Sequence, residues 1–271
     1  MNKFKYYIGL AAALSVLTSC GRTTEEEGLQ LQSLPVVFSV ITPSQPVQLT
    51  LNKTIVQHLK NDSIYYPEAT VFMCGEDKKW VELSRQSYEK AVYRDTDNKI
   101  QVYEGKNYYL RIELADRTIT AQTKVPIQRA KITEAEFVLD EEQSPGFDFY
   151  KGTVNVKLEL YKGDPCVLYA YSSLIETENS TFLQQNIIKD WVYLPDSISS
   201  FDLRLLTFDP LLAKYWSAKE IAFYQNFSEG DITVFIGTFN GLLPPYSNIV
   251  NAVGLFGSYA ADTKNVKITQ P

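Results

Sequence analysis

From residue 34 onward the chain is written in short apolar–polar alternations separated by turn residues, and no other feature restricts its folding as much. Val47, Leu49 and Leu51 alternate with Gln48, Thr50 and Asn52, and Val154, Val156, Leu158 and Leu160 alternate with Asn155, Lys157 and Glu159. Side chains two apart on an extended chain share a face, so each such segment has one side for a core and one for water. Pro43-Ser44-Gln45-Pro46, Gly75-Glu76-Asp77-Lys78-Lys79 and Ala115-Asp116-Arg117 supply turns between them. The 18 Tyr and 14 Phe add strand-favouring residues, while alanine-rich stretches are nearly absent after the first twenty residues. The expectation is a mainly β protein.

Residues 33–127 read as one unit. A strand at 35–40 and the alternation at 47–51 are followed by a loop at 52–68, then a hairpin from 69–74 to 80–83. Gly105 stands three residues before Tyr108, at the entrance to a strand whose Tyr108, Leu110, Ile112 and Leu114 share a face. That arrangement resembles the tyrosine corner of immunoglobulin and fibronectin type III sandwiches. Ile119, Ala121, Thr123 and Val125 face inward from a closing strand. The fold expected here is an N-terminal immunoglobulin/fibronectin-III-like β-sandwich.

Residues 128–271 read as a second, β-rich domain with one helix. The acidic run Asp140-Glu141-Glu142 lacks the alternating ligand spacing of a calcium loop. A strand at 154–160, a turn at Gly163-Asp164-Pro165 and a strand at 166–174 follow, the last with Tyr169 and Tyr171 opposite Leu168 and Ala170. Phe182, Leu183, Ile187, Ile188 and Trp191 have helical spacing, but β-branched Ile and Pro195 oppose it, so 175–200 reads as an insertion or short helix. After a strand at 203–208, Asp209 is placed to cap a helix over 211–227, with Pro210 at its first position. The glycines of Gly254-Leu255-Phe256-Gly257 suit a strand that passes close to another backbone.

The first twenty residues carry an address. Lys3 and Lys5, an apolar run from Ile8 to Leu17 and small residues describe a secretory signal over 1–19. Leu17-Thr18-Ser19-Cys20 resembles the bacterial lipobox, in which the cysteine is acylated with fatty chains such as palmitate and becomes the new N-terminus. Such chains attach a protein stably to a membrane. Residues 20–32, with Glu25, Glu26 and Glu27, read as a flexible acidic tether, and acid after the cysteine resembles the surface-export signals of Bacteroidetes lipoproteins.

The charge balance, 26 Lys+Arg against 32 Asp+Glu, argues against nucleic acid as a partner. The one histidine, His58, and the absence of CxxC leave little material for a zinc site or a His-based triad. Cys74 and Cys166 fall in different domains and read as buried small hydrophobes rather than a disulfide. With no G-x-S-x-G elbow and no phosphate-cradling loop, the expectation is no enzyme and no cofactor.

Taken in order, the lipobox, Gly105 with Tyr108, Asp164 with Tyr169, Tyr215, and Asn248-Ile249 with Gly254-Leu255-Phe256-Gly257 resemble the Bacteroidetes lipoproteins grouped as domain of unknown function 4249. Ala252-Val253 stand where that pattern usually has a glycine. The resemblance implies a lipid-anchored outer-membrane lipoprotein and supplies no catalytic residues; exposure at the cell surface is the expectation from the acidic tether. It leads to an accessory or ligand-capturing partner of a TonB-dependent β-barrel transporter as the first expectation. A structural surface protein, such as an adhesin or pilus-assembly component, is the alternative. Tyr65, Tyr66, Phe147, Phe149 and Tyr150 are the candidate ligand contacts. Asp62-Ser63-Ile64 and Asp196-Ser197-Ile198 resemble Bacteroidetes O-glycosylation acceptors, which makes Ser63 and Ser197 candidate glycan sites.

Overall fold

The computed structural model describes residues 34–54, 66–87, 91–140, 149–171, 173–175, 182–217, 223–225, 234–236 and 246–268. The first half contributes β1 (Pro35–Ile41), β2 (Gln48–Lys53), β3 (Thr70–Cys74), β4 (Val81–Glu82), β5 (Ser84–Ser87), β6 (Val92–Arg94), β7 (Asn107–Glu113) and β8 (Thr118–Lys124). The second contributes β9 (Lys131–Leu139), β10 (Phe149–Glu159), β11 (Cys166–Ala170), β12 (Ser173–Ile175), β13 (Ile187–Pro195) and β14 (Ser200–Phe208). Then follow α1 (Pro210–Trp216), β15 (Phe223–Gln225), β16 (Val234–Ile236) and β17 (Val253–Lys267).

One long strand organises the molecule. The first half of β17 pairs in parallel with β1, from Val36 opposite Val253 to Ile41 opposite Ser258. Its second half pairs antiparallel with β14, from Phe208 opposite Tyr259 to Ser200 opposite Lys267. The result is an eight-stranded sheet in the order β12-β11-β14-β17-β1-β2-β6-β5. A four-stranded sheet, β4-β3-β7-β8, covers one end, and a three-stranded sheet, β13-β10-β9, covers the other. Phe256 belongs to the first core and Val266 to the second. Ten residues apart on an alternating strand, the two share a face, so both smaller sheets lie on the same side of the long sheet. Leu255 and Tyr259 point the other way, into a third core with Leu212, Tyr215 and Trp216 of α1.

The tyrosine corner is present. Gly105 takes φ +74°, and the buried Tyr108 hydroxyl donates to the Gln101 carbonyl at 2.9 Å while accepting from the Tyr103 N–H at 2.7 Å. Val71, Met73, Leu110, Ile112 and Ile119 face Val37, Leu49 and Leu51 in the first core. Each such side chain stabilises the fold by about 1.5–3 kcal/mol when fully buried. In the second core Val154, Val156, Ile188, Val192 and Leu194 face Leu168, Leu203 and Leu205. Asp262 ties β9 to β17 by accepting the Ile132 N–H at 2.7 Å.

Three segments differ from the sequence reading. The helix expected over 211–227 runs only from Pro210 to Trp216, and residues 223–225 instead form β15, paired with β16. Aromatic Phe223 fits a strand as well as the helical spacing it also satisfies. The segment 166–174 is a hairpin rather than one strand, because the chain turns at Tyr171 with φ +56° and Ala170 pairs with Ser173. Tyr169 does oppose Leu168 and Ala170, but Tyr171 lies exposed at the turn. The stretch read as an insertion or short helix contains β13, whose Ile188, Val192 and Leu194 alternate inward.

Candidate functional site

The outward face of the three-stranded sheet carries a cluster of three exposed aromatic side chains. In β10 the central register sets Lys151 opposite Tyr193, Thr153 opposite Trp191 and Phe149 opposite Pro195. Because the even-numbered residues of β13 fill the core, the odd ones face solvent. Trp191 and Tyr193 are each 54% exposed and Phe149 37%. The Lys151 ammonium sits 4.4 Å from the Trp191 ring centroid and 3.4 Å from the Asp140 carboxylate. Phe149 meets Tyr193 edge to face, at 5.5 Å and 83°. The rings are therefore held in place on their strand by neighbours, with much of their surface in water.

Polar groups frame this strip. Asn155 Nδ2 donates to Glu136 at 3.0 Å, and Lys157 is paired with Glu134 at 2.5 Å. At the free edge of β13 the Trp191 N–H donates to the Asp190 carboxylate at 2.8 Å. That bond occupies a donor which an added strand would need.

Two other places stand out. On the outer face of the four-stranded sheet the Arg111 guanidinium lies 4.9 Å from the Phe72 ring and 4.7 Å from the Trp80 ring, and Trp80 stays 39% exposed. Where β8, β17 and α1 meet, Thr123, Asp209 and Ser258 form a buried polar cluster. Asp209 accepts from the N–H groups of Leu211 at 2.6 Å and Leu212 at 3.0 Å, capping α1 as its position before Pro210 predicts. Its second oxygen accepts from the Ser258 N–H, the Ser258 hydroxyl at 3.0 Å and the Thr123 hydroxyl at 3.1 Å. Burial pushes the Asp209 carboxyl above the usual carboxylate range, against the pull of these donors. All three residues are sealed from water, so the cluster joins elements and faces no substrate.

Cys74 and Cys166 are free, buried thiols in separate sandwiches, each raised above the ordinary thiol pKa by burial. Among the described residues, no three or more His, Cys, Asp or Glu side chains gather to hold a metal ion. No helix there is long and apolar enough to cross a membrane.

The expected ligand residues are placed as follows. Phe149 and Tyr150 are neighbours on β10. Tyr66 packs against the first core instead, its carbonyl accepting from Arg85 and its ring 4.8 Å from the Lys53 ammonium. Ser197 is exposed in the turn after β13, where the Ile198 N–H donates to the Pro195 carbonyl at 3.3 Å. Cys20, Ser63, Tyr65 and Phe147 lie outside the described residues. The sequence reading missed Lys151, Trp191 and Tyr193 as surface aromatics and their support. The signal was the alternation of Ile188, Val192 and Leu194 with Trp191 and Tyr193, masked by the helical spacing of Leu183, Ile187 and Trp191.

These features define a β-sandwich protein whose two cores share one long sheet, with an aromatic strip on its surface. A family model described as domain of unknown function (DUF4249) matches residues 26–265, and the chain belongs to that family. Among curated proteins, none matches the chain.

Proposed function

We propose that this protein is a non-enzymatic lipoprotein of a Bacteroidetes outer membrane, anchored through Cys20 and exposed at the cell surface, that captures a ligand for a TonB-dependent β-barrel transporter. The observation that carries the capture role is the solvent-facing strip of Phe149, Trp191 and Tyr193. It lies toward the Lys267 end of β17, where β13 ends at Pro195 shortly before Ser200 pairs with Lys267.

The alternative, a structural surface protein built by strand addition, needs an open sheet edge, and Asp190 occupies the edge of β13 at Trp191. Affinity purification from native membranes tests the proposal. Co-purification of a β-barrel transporter is the expected result, and clean recovery without any barrel overturns it. A Cys20→Ala chain is expected in the soluble envelope fraction rather than with membranes.

A further inference from the structure

We propose that Trp191 and Tyr193, steadied by Lys151 and Phe149, are a platform for a neutral oligosaccharide; this deepens the capture reading and rests on it. Three observations select that ligand. First, the aromatic surface is small: half of Trp191, half of Tyr193 and a third of Phe149 exposed amount to about 300 Å² of ring surface, with Ile187 and Val138 the exposed aliphatic side chains on the same face. A specific protein interface takes about 800 Å² from each partner, and a few sugar rings take much less. Second, the charges on this face balance: Lys151 is paired with Asp140 and Lys157 with Glu134, while Lys189 and Glu136 flank Asn155 from either side. An ionic polymer finds no unbalanced field here.

Third, the rings are pre-ordered. Lys151 lies over Trp191, and Phe149 abuts the side of Tyr193, so little rotamer freedom is lost on binding. A pyranose offers an apolar C–H face to such a ring and a rim of hydroxyls to the polar groups beside it. Asn155 and Lys189, opposite each other one pair further along the same face as Thr153 and Trp191, supply those groups.

The test uses the full-length chain in detergent on an array of immobilised neutral glucan, mannan, xylan and galactan oligosaccharides. Binding to at least one class is expected, falling tenfold or more in Trp191→Ala and by a smaller factor in Tyr193→Ala. Trp191→Phe, which keeps a ring, and Trp80→Ala, in the other sandwich, are expected to retain binding. Unchanged thermal unfolding separates lost contact from lost fold. Binding of no neutral glycan, binding indifferent to Trp191→Ala, or a wild-type dimer in sedimentation that Trp191→Ala dissolves each overturns the proposal. The array contains no transporter, so its failure is distinct from a failure of co-purification.

Discussion

Gly254 shows how a single atom fixes the architecture. It takes φ +127°, and a Cβ built there would lie 1.8 Å from the Val37 carbonyl oxygen and 2.8 Å from its carbon. The parallel pairing of β1 with β17 requires that this position have no side chain, which is the reason for the glycine in Gly254-Leu255-Phe256-Gly257. Gly257 has a milder version of the same constraint, since its Cβ would meet Leu212 of α1 at 3.0 Å. Gly163 also has positive φ, +92°, but nothing within 4 Å of the added atom. Gly254→Ala is expected to cost more than about 3 kcal/mol or to prevent folding, whereas Gly163→Ala costs about 1 kcal/mol. Urea denaturation of the two variants beside wild type checks the contrast, and equal losses would refute the steric account. Asn248 makes a second residue-scale fit: its side chain accepts the Phe256 N–H at 2.9 Å and donates to the Phe256 carbonyl at 2.8 Å. It thereby stands in for a strand residue where β17 has no neighbour.

At the scale of elements, α1 is set by Asp209. Because the folded-state pKa of this carboxyl lies above the unfolded value of about 3.9, the folded chain binds the proton more tightly. The stabilisation from that proton is fully present below about pH 4 and is lost as pH rises through the folded pKa. Stability measured from pH 4 to 7 is therefore expected to shift in favour of Asp209→Asn relative to wild type as pH increases; a constant difference would mean that burial does not govern this group. The cap was legible in the sequence because Asp-Pro carries its own geometry. So were β1, β7, β8 and β10, where alternation, glycine and turn residues agree. The length of α1 and the existence of β13 were not, because aromatic and branched residues at 187–194 and 223–225 satisfy helical and extended periods alike. The aromatic strip was lost with β13. Phe149 was singled out from its own segment, but its partner Tyr193 lies across a register that only pairing reveals.

For the whole molecule, β17 joins what the sequence presents as two halves. The first core includes Phe256 and the second Val266, so each sandwich takes part of its long sheet from the last strand. A fragment of residues 33–127 leaves the β1 edge unpaired and is expected to show no cooperative unfolding; a chain ending at residue 251 is expected to behave the same way. In the intact protein, tryptophan fluorescence and far-UV circular dichroism are expected to report coincident transitions. Two separated transitions, or a cooperatively folded 33–127 fragment, would show that the sandwiches are independent. Synthesis proceeds from the N-terminus, so the strand that completes both sandwiches follows every other described strand. Until some 260 residues have emerged, β1 and β14 each lack a neighbour on the β17 side. Placing the joining strand after its partners acts as a timer, holding both sandwiches open until β17 has been made.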